Sequence, residues 1–152
     1  MKRLTLIFTF AILTSFAASA QFTQLDNHVT WSYAAKKISK TEAMVYLKAT
    51  IDGDWHIYSQ FVKPGGPNKT IFTFAKSKDY SLLGGTIEPK PITKYEKVFS
   101  MNVSYFEKEV LFKQKIKLNK GATTVKGTVE FMVCNETQCL PPSEVSFSIP
   151  VK

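Results

Sequence analysis

Apolar residues recur at every second position in five separate runs, and that period is the strongest constraint on what this chain can fold into. Val29, Trp31, Tyr33 and Ala35 form the first run, and Ala43, Val45, Leu47, Ala49 and Ile51 the second. Val110, Phe112, Ile116 and Leu118 form the third, with Lys113, Lys115 and Lys117 projecting the other way or lying between. Val125, Val129, Phe131 and Val133 make the fourth, and Val145, Phe147, Ile149 and Val151 the fifth. A strand turns successive side chains to opposite faces, so each run predicts one face against a core and one toward water. Shorter runs at Ile71 to Phe74 and Tyr80 to Leu83 add further strands. Turn residues separate them, as in Asp52-Gly53-Asp54, Pro64-Gly65-Gly66-Pro67, Gly84-Gly85 and Asn119-Lys120-Gly121. No window of a dozen residues carries a helical stripe, so the strands must bury their inner faces on one another. The expected fold is all-β, an antiparallel immunoglobulin-like β-sandwich of about seven to nine strands, with a small barrel as the alternative.

The first twenty residues read differently. Lys2 and Arg3 precede an apolar-to-small run from Leu4 to Ala17, which ends in Ala18-Ser19-Ala20. That layout predicts a secretory signal peptide over 1–20, cleaved between Ala20 and Gln21. The apolar run is shorter than the roughly 20 residues a spanning helix needs. Residues 21–152 are then a single exported domain, large enough to bury a core without covalent staples. The chain has 20 Lys and Arg against 12 Asp and Glu, and a net charge of +8. The lysines are scattered and form no arginine cluster or aromatic-basic platform, which argues against a nucleic-acid partner.

An exported chain with two cysteines tends to oxidise them to a disulfide. Here they lie in Val133-Cys134-Asn135-Glu136-Thr137-Gln138-Cys139-Leu140-Pro141-Pro142, between the fourth and fifth alternating runs. A bond between Cys134 and Cys139 bridges the neck of a hairpin. As a structural clamp over so short a loop it would contribute roughly 2 kcal/mol. As a redox pair it needs an accessible sulfur and a thiolate when reduced. Parity places Cys134 opposite Val129, Phe131 and Val133, on the face of Glu130 and Met132, which predicts that it is reachable from outside if the strand stays regular. A bulge at the strand end removes that inference. Pro141-Pro142 withdraws two amide donors and stiffens the backbone beyond Cys139. This is not the Cys-x-x-Cys helix start of thioredoxin-like enzymes, and the residues alone leave redox pair and clamp equally open.

Three segments together resemble the N-terminal periplasmic domain of the thiol:disulfide interchange protein DsbD: Cys134 to Pro142; Asp54-Trp55-His56-Ile57-Tyr58-Ser59-Gln60 leading into Pro64-Gly65-Gly66-Pro67; and Lys97-Val98-Phe99 through Tyr105-Phe106. The resemblance runs from about Trp31 to Val151 and implies an immunoglobulin-like fold. It implies a protein-disulfide reductase component of the kind that serves cytochrome c biogenesis. Such a domain takes electrons from a thioredoxin-like protein and passes them to oxidised extracytoplasmic thiol proteins. By resemblance Cys139 is the nucleophile and Cys134 the resolver, Phe99 is an aromatic cap over the sulfurs, and Tyr58 lines the same site. No cofactor is implied, because the sulfur pair itself carries the electrons.

The chain departs from the family's better-known members in two ways. Four residues separate its cysteines instead of five, and Lys97-Val98 replaces acidic residues before the cap, which predicts a more positive field around the sulfurs. Neither a membrane domain nor a C-terminal thioredoxin-like domain is expected to accompany it. A free-standing periplasmic copy is therefore expected, with thioredoxin-like extracytoplasmic partners and a separate membrane electron-transfer protein. The competing reading is a non-catalytic adaptor sandwich with a clamped hairpin. His28 and His56 could join the cysteines around zinc or copper, but their spacing matches no standard site, and no metal is expected.

Overall fold

The structure, a computed structural model, describes residues 28–152; the expected leader and its cleavage site lie outside them. The described residues form eleven strands and no helix. In chain order they are β1 (Val29–Lys37), β2 (Glu42–Ile51), β3 (His56–Tyr58), β4 (Ile71–Phe74), β5 (Tyr80–Ile87), β6 (Ile92–Glu96), β7 (Met101–Glu107), β8 (Glu109–Leu118), β9 (Thr123–Phe131), β10 (Val133–Cys134) and β11 (Ser143–Val151). Three sheets result, with strand orders β1-β2-β8-β5, β11-β9-β4 and β10-β3-β7-β6, and every pairing is antiparallel. The architecture is the expected immunoglobulin-like sandwich.

The alternating runs supply the core as their period requires. Ala43, Val45, Leu47, Ala49 and Ile51 of β2 are all buried, as are Val110, Phe112, Ile116 and Leu118 of β8 and Val125, Val129 and Phe131 of β9. Aromatic side chains join the first two sheets. Trp31 of β1 meets Phe72 of β4 edge-on at 5.9 Å and Phe131 of β9 at 5.5 Å, and Phe72 meets Phe112 at 4.8 Å. One polar residue, Gln114, occupies an inward position of β8 and is 1% exposed. It lies where β5 breaks register between Leu83 and Ile87. There its amide donates to the Gly84 and Lys115 carbonyls and accepts from the Thr86 hydroxyl, so the bulge and the buried polar group satisfy each other.

The third sheet has two covered faces. Val133, Ile57 and Phe106 are successive cross-strand partners on β10, β3 and β7, and all three enter the main core. Phe106 meets Phe112 edge-on at 5.7 Å. On the other face Cys134, Tyr58, Val103 and Tyr105 form a second buried cluster, with Val62, Phe99, Met101 and Met132 packed around it. The chain reaches this sheet by leaving β9 at Phe131 and, one residue later, starting β10.

Gly127, in the middle of β9, is paired with both Phe74 and Phe147. A Cβ there would stand 2.3 Å from the Thr73 carbonyl oxygen and 2.5 Å from Phe147 Cζ. Gly127→Ala is therefore expected to cost about 2 kcal/mol or more of unfolding free energy, against the usual gain from replacing a strand glycine. Urea unfolding monitored by tryptophan fluorescence reads this directly, and a variant as stable as the parent would contradict the packing described.

Candidate functional site

The cysteine loop is built by its own asparagine. The Asn135 side-chain oxygen accepts from the amides of Thr137 and Gln138 and from the Thr137 hydroxyl, each at 2.9 Å. This Asx-type turn reverses the chain within four residues. The Asn135 amide then donates to the Gln138 carbonyl, and Leu140 closes the neck onto the Val133 carbonyl. Cys134 and Cys139 face each other as a bridge pair, with Cα atoms 4.1 Å apart, and are joined by a disulfide. Pro141 and Pro142 carry the chain on to Ser143, where β11 begins opposite Phe131.

The two cysteines are not equivalent. Cys139 is exposed, whereas Cys134 is 1% exposed. This corrects the expectation that Cys134 can be reached from outside. Its parity is as expected, since it points away from the core that holds Val133, but the second cluster covers that face. The interruption at Met132 also moves it into another sheet.

Tyr58 and Phe99 both come to the sulfurs. A cleft of about 250 Å³ is lined by His56, Tyr58, Glu96, Val98, Phe99 and the loop from Cys134 to Cys139. Phe99 is half-buried against the cluster that contains Cys134, and its neighbour Val98 is 87% exposed. The turn that carries them follows β6. Its Phe99 amide donates to the Glu96 carbonyl and the Ser100 amide to the Lys97 carbonyl, with Ser100 held at a positive φ of 52°.

Tyr58 is fixed from behind. Its carbonyl accepts from the Thr70 hydroxyl at 2.6 Å, and the following residues, Ser59 and Gln60, both donate to the Glu88 carboxylate. Upstream, Trp55 stacks on His28 with ring centroids 4.0 Å apart. The Pro64-Gly65-Gly66-Pro67 turn approaches the same face, with a Cβ position on Gly66 only 3.3 Å from Met101 Sδ. The motif segments thus converge on one side of the third sheet.

Four residues that sequence reasoning did not assign to the site, Lys94, Glu96, Glu136 and His56, also belong to it. Lys94 lies 3.2 Å from Glu136, between the cysteines, and 4.0 Å from Glu96. Its ammonium is held above the ordinary lysine range, first by the hydrogen bond to Glu136 and then by the charges of Glu136 and Glu96. Glu96 and Glu136 line the cleft while Lys97 does not. Two carboxylates paired with Lys94 therefore stand beside the cysteine loop.

His56 also lines the cleft, with Nε2 3.2 Å from the Tyr58 hydroxyl. Burial pushes its imidazole below the ordinary value, against the opposing pull of Glu107, Glu96 and Glu136. Burial, then Glu96 and Tyr105, push the Tyr58 phenol up to about 12, so it stays a neutral hydroxyl. Parity could have found His56, because it stands two residues before Tyr58 and shares its face.

An immunoglobulin-like sandwich that presents a half-covered disulfide on a turn beside an aromatic-walled cleft has the arrangement that thiol–disulfide exchange requires. A family model described as thiol:disulfide interchange protein DsbD, N-terminal, matches residues 21–150, and the chain belongs to that family. Among solved structures, the N-terminal periplasmic domain of ScsB from Proteus mirabilis superposes with a TM-score of 0.61 at 17% identity, over 81% of this chain and 46% of that one. The reduced DsbD N-terminal domain of Neisseria meningitidis gives 0.50 at 15% identity, over 77% of this chain and 82% of that one. The same species' DsbD N-terminal domain in complex with the PilB N-terminal domain gives 0.54 at 14% identity, over 79% and 80%. At these identities the likeness speaks to the fold. A sequence search of the curated proteins found no match.

Removing the Phe99 ring takes away one wall of the cleft beside the sulfurs. Phe99→Ala is expected to cost about 1–2 kcal/mol of stability, as suits a half-buried ring, and to speed reduction of the disulfide by dithiothreitol several-fold. Unchanged reduction kinetics in a folded variant would show that the ring does not shield the bond.

Proposed function

We propose that this domain passes reducing equivalents between extracytoplasmic proteins by cycling Cys134 and Cys139 between dithiol and disulfide. The observation that carries the reading is the asymmetry of the pair, with an exposed Cys139 in front of a buried Cys134. A clamp needs neither an open sulfur nor a cleft beside it. In the dithiol form the Cys139 thiolate attacks one sulfur of a partner's disulfide. A bond forms between Cys139 and the partner, and the partner's other sulfur leaves as a thiolate. Cys134 then attacks Cys139 Sγ, the intramolecular disulfide re-forms, and the partner departs with both sulfurs reduced. Two electrons have passed to the partner, and a donor must return two to the pair.

The partners in this reading are thioredoxin-like extracytoplasmic proteins, together with a separate membrane electron-transfer protein. The solved complex of a DsbD N-terminal domain with a PilB N-terminal domain supports a protein partner docking on this family's fold. Phe99 serves as a cap that shields the bond until a partner displaces it, and Tyr58 forms the opposite wall. In this reading the domain works in the periplasm, as the expected leader implies. Among the described residues no helix is long and apolar enough to cross a membrane.

Single-cysteine variants test the order of events. Reduced Cys134→Ser, mixed with an oxidised thioredoxin-like protein, is expected to accumulate a covalent adduct on non-reducing gels. Cys139→Ser should give little or none, because its remaining thiol is buried. Adducts forming equally through both cysteines would reverse the assignment of roles, and none through either would argue for the clamp.

A further inference from the structure

The relay as described leaves the imidazole of His56 unused, although it stands in the same cleft as both cysteines. His56 and Cys134 are direct cross-strand partners on β3 and β10. Residues so opposed in an antiparallel pair share a face and hold their Cβ atoms roughly 4.5–5.5 Å apart. The ring is fixed on two sides, by the Tyr58 hydroxyl at Nε2 and by Tyr105, whose ring centroid lies 4.8 Å away. Among the described residues Tyr58 is its one hydrogen-bond partner, which leaves Nδ1 available.

We propose that His56 is the proton acceptor for Cys134 in the resolving half of the exchange, with Tyr58 as its positioning residue. The assignment rests on the exchange reading above. With Nε2–H donating to the Tyr58 hydroxyl, Nδ1 holds the lone pair. In the mixed disulfide the Cys134 thiol gives its proton to Nδ1, and its sulfur attacks Cys139 Sγ. The Cys134–Cys139 bond forms as the bond between Cys139 and the partner breaks. The partner leaves as a thiolate, which takes a proton from the imidazolium or from water. No outside oxidant or reductant enters the step. A buried Cys134 needs such a base more than Cys139 does, because water reaches it poorly.

The surroundings suit a group that is neutral at rest and charged in passing. Facing the ring are Tyr58 on its own strand, Tyr105 and Glu107 on β7, Lys94 and Glu96 on β6, and Glu136 in the cysteine loop. Burial and Lys94 keep the imidazole unprotonated, while the three carboxylates stabilise the imidazolium once the proton arrives. The ring is therefore a base at neutral pH and stops being one as the pH falls below the ordinary histidine value.

The reduced protein reacting with excess 5,5′-dithiobis(2-nitrobenzoic acid) separates the two halves. Attack by Cys139 releases the first nitrothiobenzoate at a rate that depends on reagent concentration, and attack by Cys134 releases the second at a rate that does not. In the parent protein the second rate is expected to show an inflection below pH about 6.5, where His56 titrates. His56→Gln should slow the second release about tenfold at pH 7 and abolish that inflection. That loss lies within the roughly thirtyfold gained by fully ionising a thiol of pKa about 8.5. The first release should be unchanged, and added imidazole should restore the second in His56→Ala. A second release as fast in His56→Gln as in the parent, or a parent profile without the inflection, would overturn the role of His56 and leave the relay standing. A parent protein that never gives the second release would overturn the relay itself, and this assignment with it. The parent pH profile decides the matter even where a variant fails to fold.

Discussion

The site depends on one short row of side chains, Val133, Ile57 and Phe106, which anchors the third sheet to the main core. Because these three point inward from adjacent strands, their neighbours Cys134, His56, Tyr58 and Tyr105 must point outward together. Period two in each strand, with register fixed by burial, thus converts a packing requirement into the alignment of a disulfide, an imidazole and two phenols. A one-residue slip of β3 would send Tyr58 and His56 into the core and Ile57 to the cleft. The Thr70 bond to the Tyr58 carbonyl and the Glu88 bonds to Ser59 and Gln60 hold β3 at its exit. Burial of Trp55, stacked on His28, holds it at its entrance.

How much of this was legible in the sequence followed from how many faces each strand buries. β1, β2, β8, β9 and β11 each bury one face, and their alternation exposed them at once. Ile71 to Phe74 and Tyr80 to Leu83 were legible as the start of β4 and β5. Expectation stood at seven to nine strands, and eleven are described, the surplus coming from the site's own sheet. β7 is buried on both faces around Tyr105 and Phe106, so its alternation vanishes. β3 and β10 have three and two residues, too few to show a period. β6 is an edge strand of mostly exposed residues. The sheet that carries the chemistry was therefore the part least readable from pattern, because it is short and covered on both sides.

The candidate site was legible in a different measure. The cysteines declared themselves by spacing and setting, whereas Tyr58 and Phe99 were legible only through resemblance to the DsbD N-terminal family. Exposure of Cys134 was misjudged because parity gives the direction of a side chain and not what lies over it. The Lys94 pairing with Glu136 and Glu96 joins residues about forty positions apart in the chain at one end, and no local pattern announces it. These charges are exposed and stabilise the fold little. Glu136 belongs to the cysteine loop itself, so the pairing ties that loop to β6.

The central claim is that the Cys134–Cys139 bond is made and broken in use, and its reduction potential tests that claim most directly. The protein would be equilibrated with glutathione buffers of graded ratio, its thiols alkylated, and the reduced fraction counted by mass. A potential between about −180 and −270 mV, the range of known exchange proteins, is the result expected here. A value well below about −300 mV would mark a bond that cellular thiols do not open, and would contradict the account.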